Sequence, residues 1–168
     1  MANKSIHTSI RGRQFGLDEN NGLIIEGSQG IAQQTITSAQ VLALNATAIE
    51  VVPAPGAALA VAPRLVVVHK PAGTAYAGVA VGEDLVLKYT DASGAQCSAA
   101  IETTGFLDQT TAETRYVGMP GAVTTTAADV EPVADAAVVM HLLVGEVITG
   151  DSDLIVKTYY DVIPTVLT

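Results

Sequence analysis

Apolar positions along this chain fall in short runs separated by turn-forming residues. Within the runs the apolar side chains recur at every second position. In Leu154–Tyr160, Leu154, Val156, Thr158 and Tyr160 share one face, while Ile155, Lys157 and Tyr159 share the other. In Leu85–Tyr89, Leu85, Leu87 and Tyr89 face one way and Lys88 the other. The runs are Ala39–Val52, Leu59–Lys70, Asp84–Tyr89, Ala95–Thr103, Ala137–Val147 and Leu154–Ile163. Between them, Pro53-Ala54-Pro55-Gly56 stops a strand and Asp91-Ala92-Ser93-Gly94 reads as a type I turn closed by Gly. Met119-Pro120-Gly121 suits a type II turn, and Gly150-Asp151-Ser152-Asp153 reads as a tight hairpin link. Strands with this punctuation predict an all-β sandwich or barrel.

Some segments depart from simple alternation. Leu65-Val66-Val67-Val68 and Val138-Val139-Met140 are apolar on both faces. Such strands are expected to be covered twice, by a second sheet inside and a neighbouring subunit outside. A fully buried Val or Leu stabilises by about 1.5–3 kcal/mol, so leaving a row of them in water forfeits much. Oligomerisation follows as an expectation. Ser38 is placed to cap a short helical turn through Leu44. Asp108–Thr114 reads as a further turn, and Ala122–Ala136 as a long Thr/Ala/Asp loop of the kind that wraps surfaces or binds partners.

Residues 1–34 separate from a body spanning 35–168. Met1–Ile10 is polar and without period, so it is expected to be extended or disordered alone. Gln14–Asp18 and Leu23–Glu26 flank Asn21-Gly22, a pair that tolerates the positive φ of a tight turn, and this predicts a small hairpin. An isolated hairpin is marginal in water, so this one should pack on the body or a partner.

Charge sharpens that division. The net charge is -9, yet residues 1–17 carry Lys4, Arg11 and Arg13 and no acid, so the rest of the chain stands at -12. An acidic body repels nucleic acid and anionic membranes, and neither is expected as a partner. A short basic head reads as an arm that seeks an acidic partner. Its expected contact residues are Lys4, Ile6, His7, Ile10, Arg11, Arg13 and Phe15. Composition fits one domain of 168 residues with 49% hydrophobic residues, 4% aromatic residues and no Trp, so Val, Ala, Leu and Ile must build the core. No apolar run reaches the roughly 18 residues of a membrane span, and the first residues lack the apolar stretch of a secretory signal.

Reactive groups do not assemble into a motif. His7, His69 and His141 are scattered, and the single cysteine, Cys97, has no near metal partner in sequence. His69 and His141 read as structural, and Cys97 as a small buried hydrophobe. No G-x-S-x-G elbow and no phosphate-binding glycine loop occur. Glu83-Asp84 and Asp151-Ser152-Asp153 offer carboxylates for calcium, but turn formation accounts for them better. A hydrolase would have to bring distant acids together, such as Asp151 with Glu83. Tyr89, Tyr159 and Tyr160 sit in strand patterns and read as core or interface. The expectation is a binding protein without enzymatic activity, cofactor or metal.

Glu50–Gly56, His69–Tyr76, Leu85–Tyr89, Gly105–Asp108 and Gly150–Tyr160 carry a likeness that covers most of residues 38–168. With these segments the chain resembles small head proteins of tailed bacteriophages, the capsid decoration or cement class. The resemblance implies a jelly-roll-like β-sandwich, a homotrimer, and a seat on the outer surface of a virion, where the major capsid protein is the partner. Such proteins bridge capsomers against internal pressure. The alternative is a receptor- or glycan-binding module of a tail or head fibre, using the Ala122–Ala136 loop. The scarcity of aromatic residues leans against sugar binding.

Overall fold

The computed structural model describes residues 8–10, 13–18, 22–25, 29–118 and 131–165. It is nearly all β. In chain order the elements are β1 (Thr8–Ile10), β2 (Arg13–Asp18), β3 (Gly22–Ile25), β4 (Gln29–Ile36), α1 (Ser38–Val41), β5 (Ile49–Val52) and β6 (Leu59–Lys70). They continue with β7 (Leu85–Tyr89), β8 (Glu113–Gly118), β9 (Val138–Leu142) and β10 (Leu154–Pro164). All pairings between them are antiparallel.

The body is two sheets around one core. The larger sheet runs β4-β10-β6-β8 and the smaller β5-β9-β7. Val66, Val68, Leu154 and Val156 from the larger sheet join Leu85, Leu87, Val138 and Met140 from the smaller in a single apolar cluster. Tyr89 crosses between the sheets: its hydroxyl donates to the Val61 carbonyl at 2.7 Å, so the phenol is both buried and satisfied.

The smaller sheet has an irregular fourth member. Segment 95–101 lies along β7 through Leu85–Ile101 and Lys88–Gln96 bridges, with Cys97 N–H donating to Leu87 O at 2.8 Å. The expected strand Ala95–Thr103 is therefore only partly realised. The ladder breaks where the Leu87 N–H turns to the Ser98 hydroxyl, at 2.8 Å, instead of a backbone carbonyl. A side chain thus fills the gap that an unpaired buried donor would leave.

Strand β6 matches its expected span and contains Pro63, which has no N–H to donate. The register slips at this point: Tyr159 faces Leu65 but Tyr160 faces Pro63. Arg64 is the extra residue of this bulge, and its guanidinium meets Asp161 at 3.1 Å. The bulge also flips the alternation, so Val61 and Pro63 point inward before it and Val66 and Val68 after it. Strand β10 keeps the expected pattern, with Leu154, Val156 and Thr158 buried.

Several expectations need correction. The boundary at residue 34 falls inside β4, which is an edge strand of the larger sheet from Gln29 onward. Its pattern is mostly polar and exposed, because only one side of one edge strand needs apolar residues. Strand β8 was also illegible: a turn occupies Thr104–Asp108, and the strand starts at Glu113 within the expected Asp108–Thr114 turn. The short helix is capped by Thr37, not Ser38. The Thr37 hydroxyl accepts from Gln40 N–H while the Gln40 side chain accepts from Thr37 N–H, a capping box. Gly150–Asp153 is no hairpin, since β9 and β10 belong to different sheets. The Asp91–Gly94 turn forms as expected, with Gly94 N–H donating to Asp91 O at 3.1 Å. Met119–Gly121 and most of Ala122–Ala136 lie outside the described residues; the end of that loop is pinned by an Ala60–Ala134 bridge and by Gly56 N–H donating to the Asp135 carboxylate at 3.1 Å.

Candidate functional site

The arm comes first, since the sequence nominates it. Strands β1, β2 and β3 form a separate three-stranded sheet, and the expected Gln14–Asp18 hairpin is present in register Phe15 to Ile25 and Leu17 to Leu23. Ile10 stands opposite Arg13, and Phe15 opposite Thr8. Lys4, Ile6, His7 and Arg11 lie outside the described residues.

The body presents a second feature at one end. Register places Ile36 beside Leu154, Ile155 beside His69, and Lys70 beside Glu113. The end of β4, the start of β10, the end of β6 and the start of β8 therefore lie together. Loops 37–48, 71–84, 102–112 and 143–153 all leave from this end.

These loops are tied to each other by hydrogen bonds. Asp151 takes Thr74 N–H at 2.7 Å and the Thr74 hydroxyl at 2.8 Å. Asp153 accepts from Ser38 N–H at 2.8 Å. Tyr76 donates its buried hydroxyl to the Ser152 carbonyl, and burial pushes its pKa upward. Ala77 and Thr149 form a bridge, Leu143 N–H reaches Asp84 O at 2.9 Å, and the Thr103 hydroxyl reaches Glu83 O at 2.6 Å. Two glycines permit the close fit. Gly145, at φ 76°, gives its side-chain space to Glu83, and Gly150, at φ 139°, gives its space to the Tyr76 ring.

The chemistry of this end is acidic and apolar. Its loops hold Glu83, Asp84, Glu102, Asp108, Glu146, Asp151 and Asp153, and no Lys or Arg. The two nearest bases are engaged. Lys70 is fully buried with its ammonium 3.3 Å from the Pro71 and Thr111 carbonyls. Arg115 is held by Glu113 at 3.2 Å, by the Gly105 carbonyl and by the Phe106 ring. The same loops expose three large aliphatic side chains: Val81 is 85% exposed, Val144 59% and Ile148 59%.

Of the acids nominated by sequence, Glu83, Asp151 and Asp153 fasten loops, while Asp84 keeps Oδ1 buried without a partner. Asp151 is held below the usual carboxylate range, first by the Thr74 hydroxyl and then by the Thr74 amide. Glu102 is lowered in the same way by Thr104. Asp84 is shifted upward, by desolvation and then by Glu102. Glu83 is occupied by Ala80 N–H at 2.9 Å. Among the described residues no group of three or more His, Cys, Asp and Glu is placed to hold a metal.

The remaining nominated groups are internal. Cys97 is fully buried, and burial pushes its thiol up to about 12. His69 shares a 2.9 Å hydrogen bond with the Thr114 hydroxyl, and His141 lies 3.3 Å from the Asn45 carbonyl. Both fit structural roles. Tyr89 is buried in the core, Tyr160 packs against it, and Tyr159 is half-buried.

Sequence reading isolated Glu83-Asp84 and Asp151–Asp153 but missed that they converge with Glu102 and Glu146. It also missed the exposed aliphatics. Val144 lay inside a run read as strand, and the available signal was its position beside Gly145-Glu146, past the last regular alternation. Among the described residues no helix is long and apolar enough to cross a membrane. No family model, no curated protein and no solved structure matches this chain.

Proposed function

We propose that this chain is a structural, non-catalytic protein that decorates the outer surface of a phage head and stabilises contacts between capsomers. The observation that supports this reading best is the strand order. Counting segment 95–101 as a fourth member, the sheets become β4-β10-β6-β8 and β5-β9-β7-(95–101). Every connection crosses from one sheet to the other except the turn between β7 and that segment. That order supports a jelly-roll reading, an architecture of interlocked Greek keys used by viral capsid and lectin domains. Fold alone does not fix function, so the surface chemistry must carry the rest. Glu83, Asp151 and Asp153 spend oxygens on loop amides and on the Thr74 hydroxyl, and the thiol is buried. What the protein offers a partner is shape, exposed aliphatic side chains and charge.

In this reading the arm residues Lys4, Ile6, His7, Ile10, Arg11, Arg13 and Phe15 anchor the body to the major capsid protein, and trimers add avidity. No nucleic acid or membrane takes part. The test is addition of the purified chain to capsids lacking it. Binding that raises the temperature of capsid disruption is expected. Capsids equally robust without it would remove the cementing role, and binding to host cells instead would favour the fibre-module reading.

A further inference from the structure

The acidic loop end has a complementary surface elsewhere in the same chain. Residues 1–17 carry Lys4, Arg11 and Arg13 without an acid, interleaved with Ile6, Ile10 and Phe15. The loop end carries Glu83, Glu102 and Glu146 together with Val81, Val144 and Ile148, with its nearest bases already engaged. Opposite charge and matched apolar content are the features by which protein surfaces steer and then hold each other. We infer that the loop end is the docking surface for the basic arm of a second copy of this chain.

A second copy is the occupant that this arm meets without doubling back along its own body. Strand β4 begins at Gln29, opposite Asp161, and finishes at Ile36, opposite Leu154. The arm therefore enters at the end of the larger sheet remote from the acidic loops. The eight residues of β4 put about 25 Å between the two ends. A neighbour stacked head to tail presents its loop end where this arm leaves. Such a contact is heterologous: it closes a ring or extends a chain, according to the rotation between copies. In the purified chain the arm meets a second copy, and on a capsid the major capsid protein competes for the same arm, so self-association measured without capsid tests this inference separately from the capsid reading.

The full chain is examined by sedimentation velocity over a concentration series at about 50 and 500 mM salt. Association that weakens with salt is expected, since the screening length falls from about 14 Å to about 4 Å over that range. Lys4→Glu/Arg11→Glu/Arg13→Glu is expected to weaken it by about threefold to a hundredfold, the sum for three exposed pairs. Glu102→Lys/Glu146→Lys is expected to do the same. Mixing the two variants restores association, because each then meets an opposite charge on the other. Salt sensitivity and the arm variant keep the test decisive if the loop variant folds poorly. A chain that stays monomeric, association unaffected by the reversals, or variants that fail to rescue each other would each overturn the inference.

Discussion

The two body sheets differ in how their outer faces are covered. In the smaller sheet, β9 is buried along its whole length: Val139, on the outer side, is only 5% exposed and His141 only 7%. On the outer side of the larger sheet, Ile31 is 61% exposed and Tyr116 74%. Leu65 and Val67, in the run expected to be covered twice, are half-buried there. So the same sequence signature, a strand apolar on both faces, has two outcomes. Over β9 the chain covers itself, with the segment around Asn45 reaching His141, and no neighbour is required. Over β6 the chain's own elements leave Leu65 and Val67 half-buried. Double-sided apolarity in a strand therefore does not say whether the chain itself supplies the second cover.

The sharpest probe of this contrast is the shared core beneath both sheets. Met140→Ala removes a fully buried side chain between them and should destabilise by about 2–5 kcal/mol in urea unfolding. A loss below about 1 kcal/mol would mean that the sheets are not packed on a common core.

A smaller effect is expected at His141, on the covered side. Desolvation, followed by the nearby Lys88, lowers its pKa, with the hydrogen bond to Asn45 opposing the shift. Its other ring nitrogen, Nδ1, is buried without a partner, so protonation would place a charge and a donor where nothing accepts. Because the folded pKa lies below the ordinary value of about 6.5, the unfolded chain binds the proton first. This contribution is complete above that value and is lost as pH falls through the folded pKa. Urea midpoints compared at pH 7.5 and 5 should decline, and His141→Gln should flatten the decline. An unchanged slope in that variant would assign the pH dependence to other groups.

The smallest effect is expected on the open side. Tyr116→Ser on the outer face of β8 should change the stability of the monomer by no more than about 0.5 kcal/mol. A larger loss at high dilution would reveal that the larger sheet is covered after all.

Alternation and turn chemistry alone determined much of this protein. The all-β class, the extents of β6, β7 and β10, the Asp91–Gly94 turn and the hairpin around Asn21-Gly22 follow from two-residue periodicity and from residues that tolerate special φ. These are local properties, and they survive wherever the strand is finally placed. Strands β4 and β8 escaped because edge strands need few apolar residues, and the partial strand at 95–101 was overread because its ladder depends on the Ser98 hydroxyl. Partners across space were decided only in three dimensions. Register brings four loops to one end, and there Asp151 fastens Thr74, Asp153 caps Ser38, and loops carrying Glu83, Glu102 and Glu146 also expose Val81, Val144 and Ile148. No local pattern encodes that meeting, because it arises from antiparallel pairing between strands far apart in the chain.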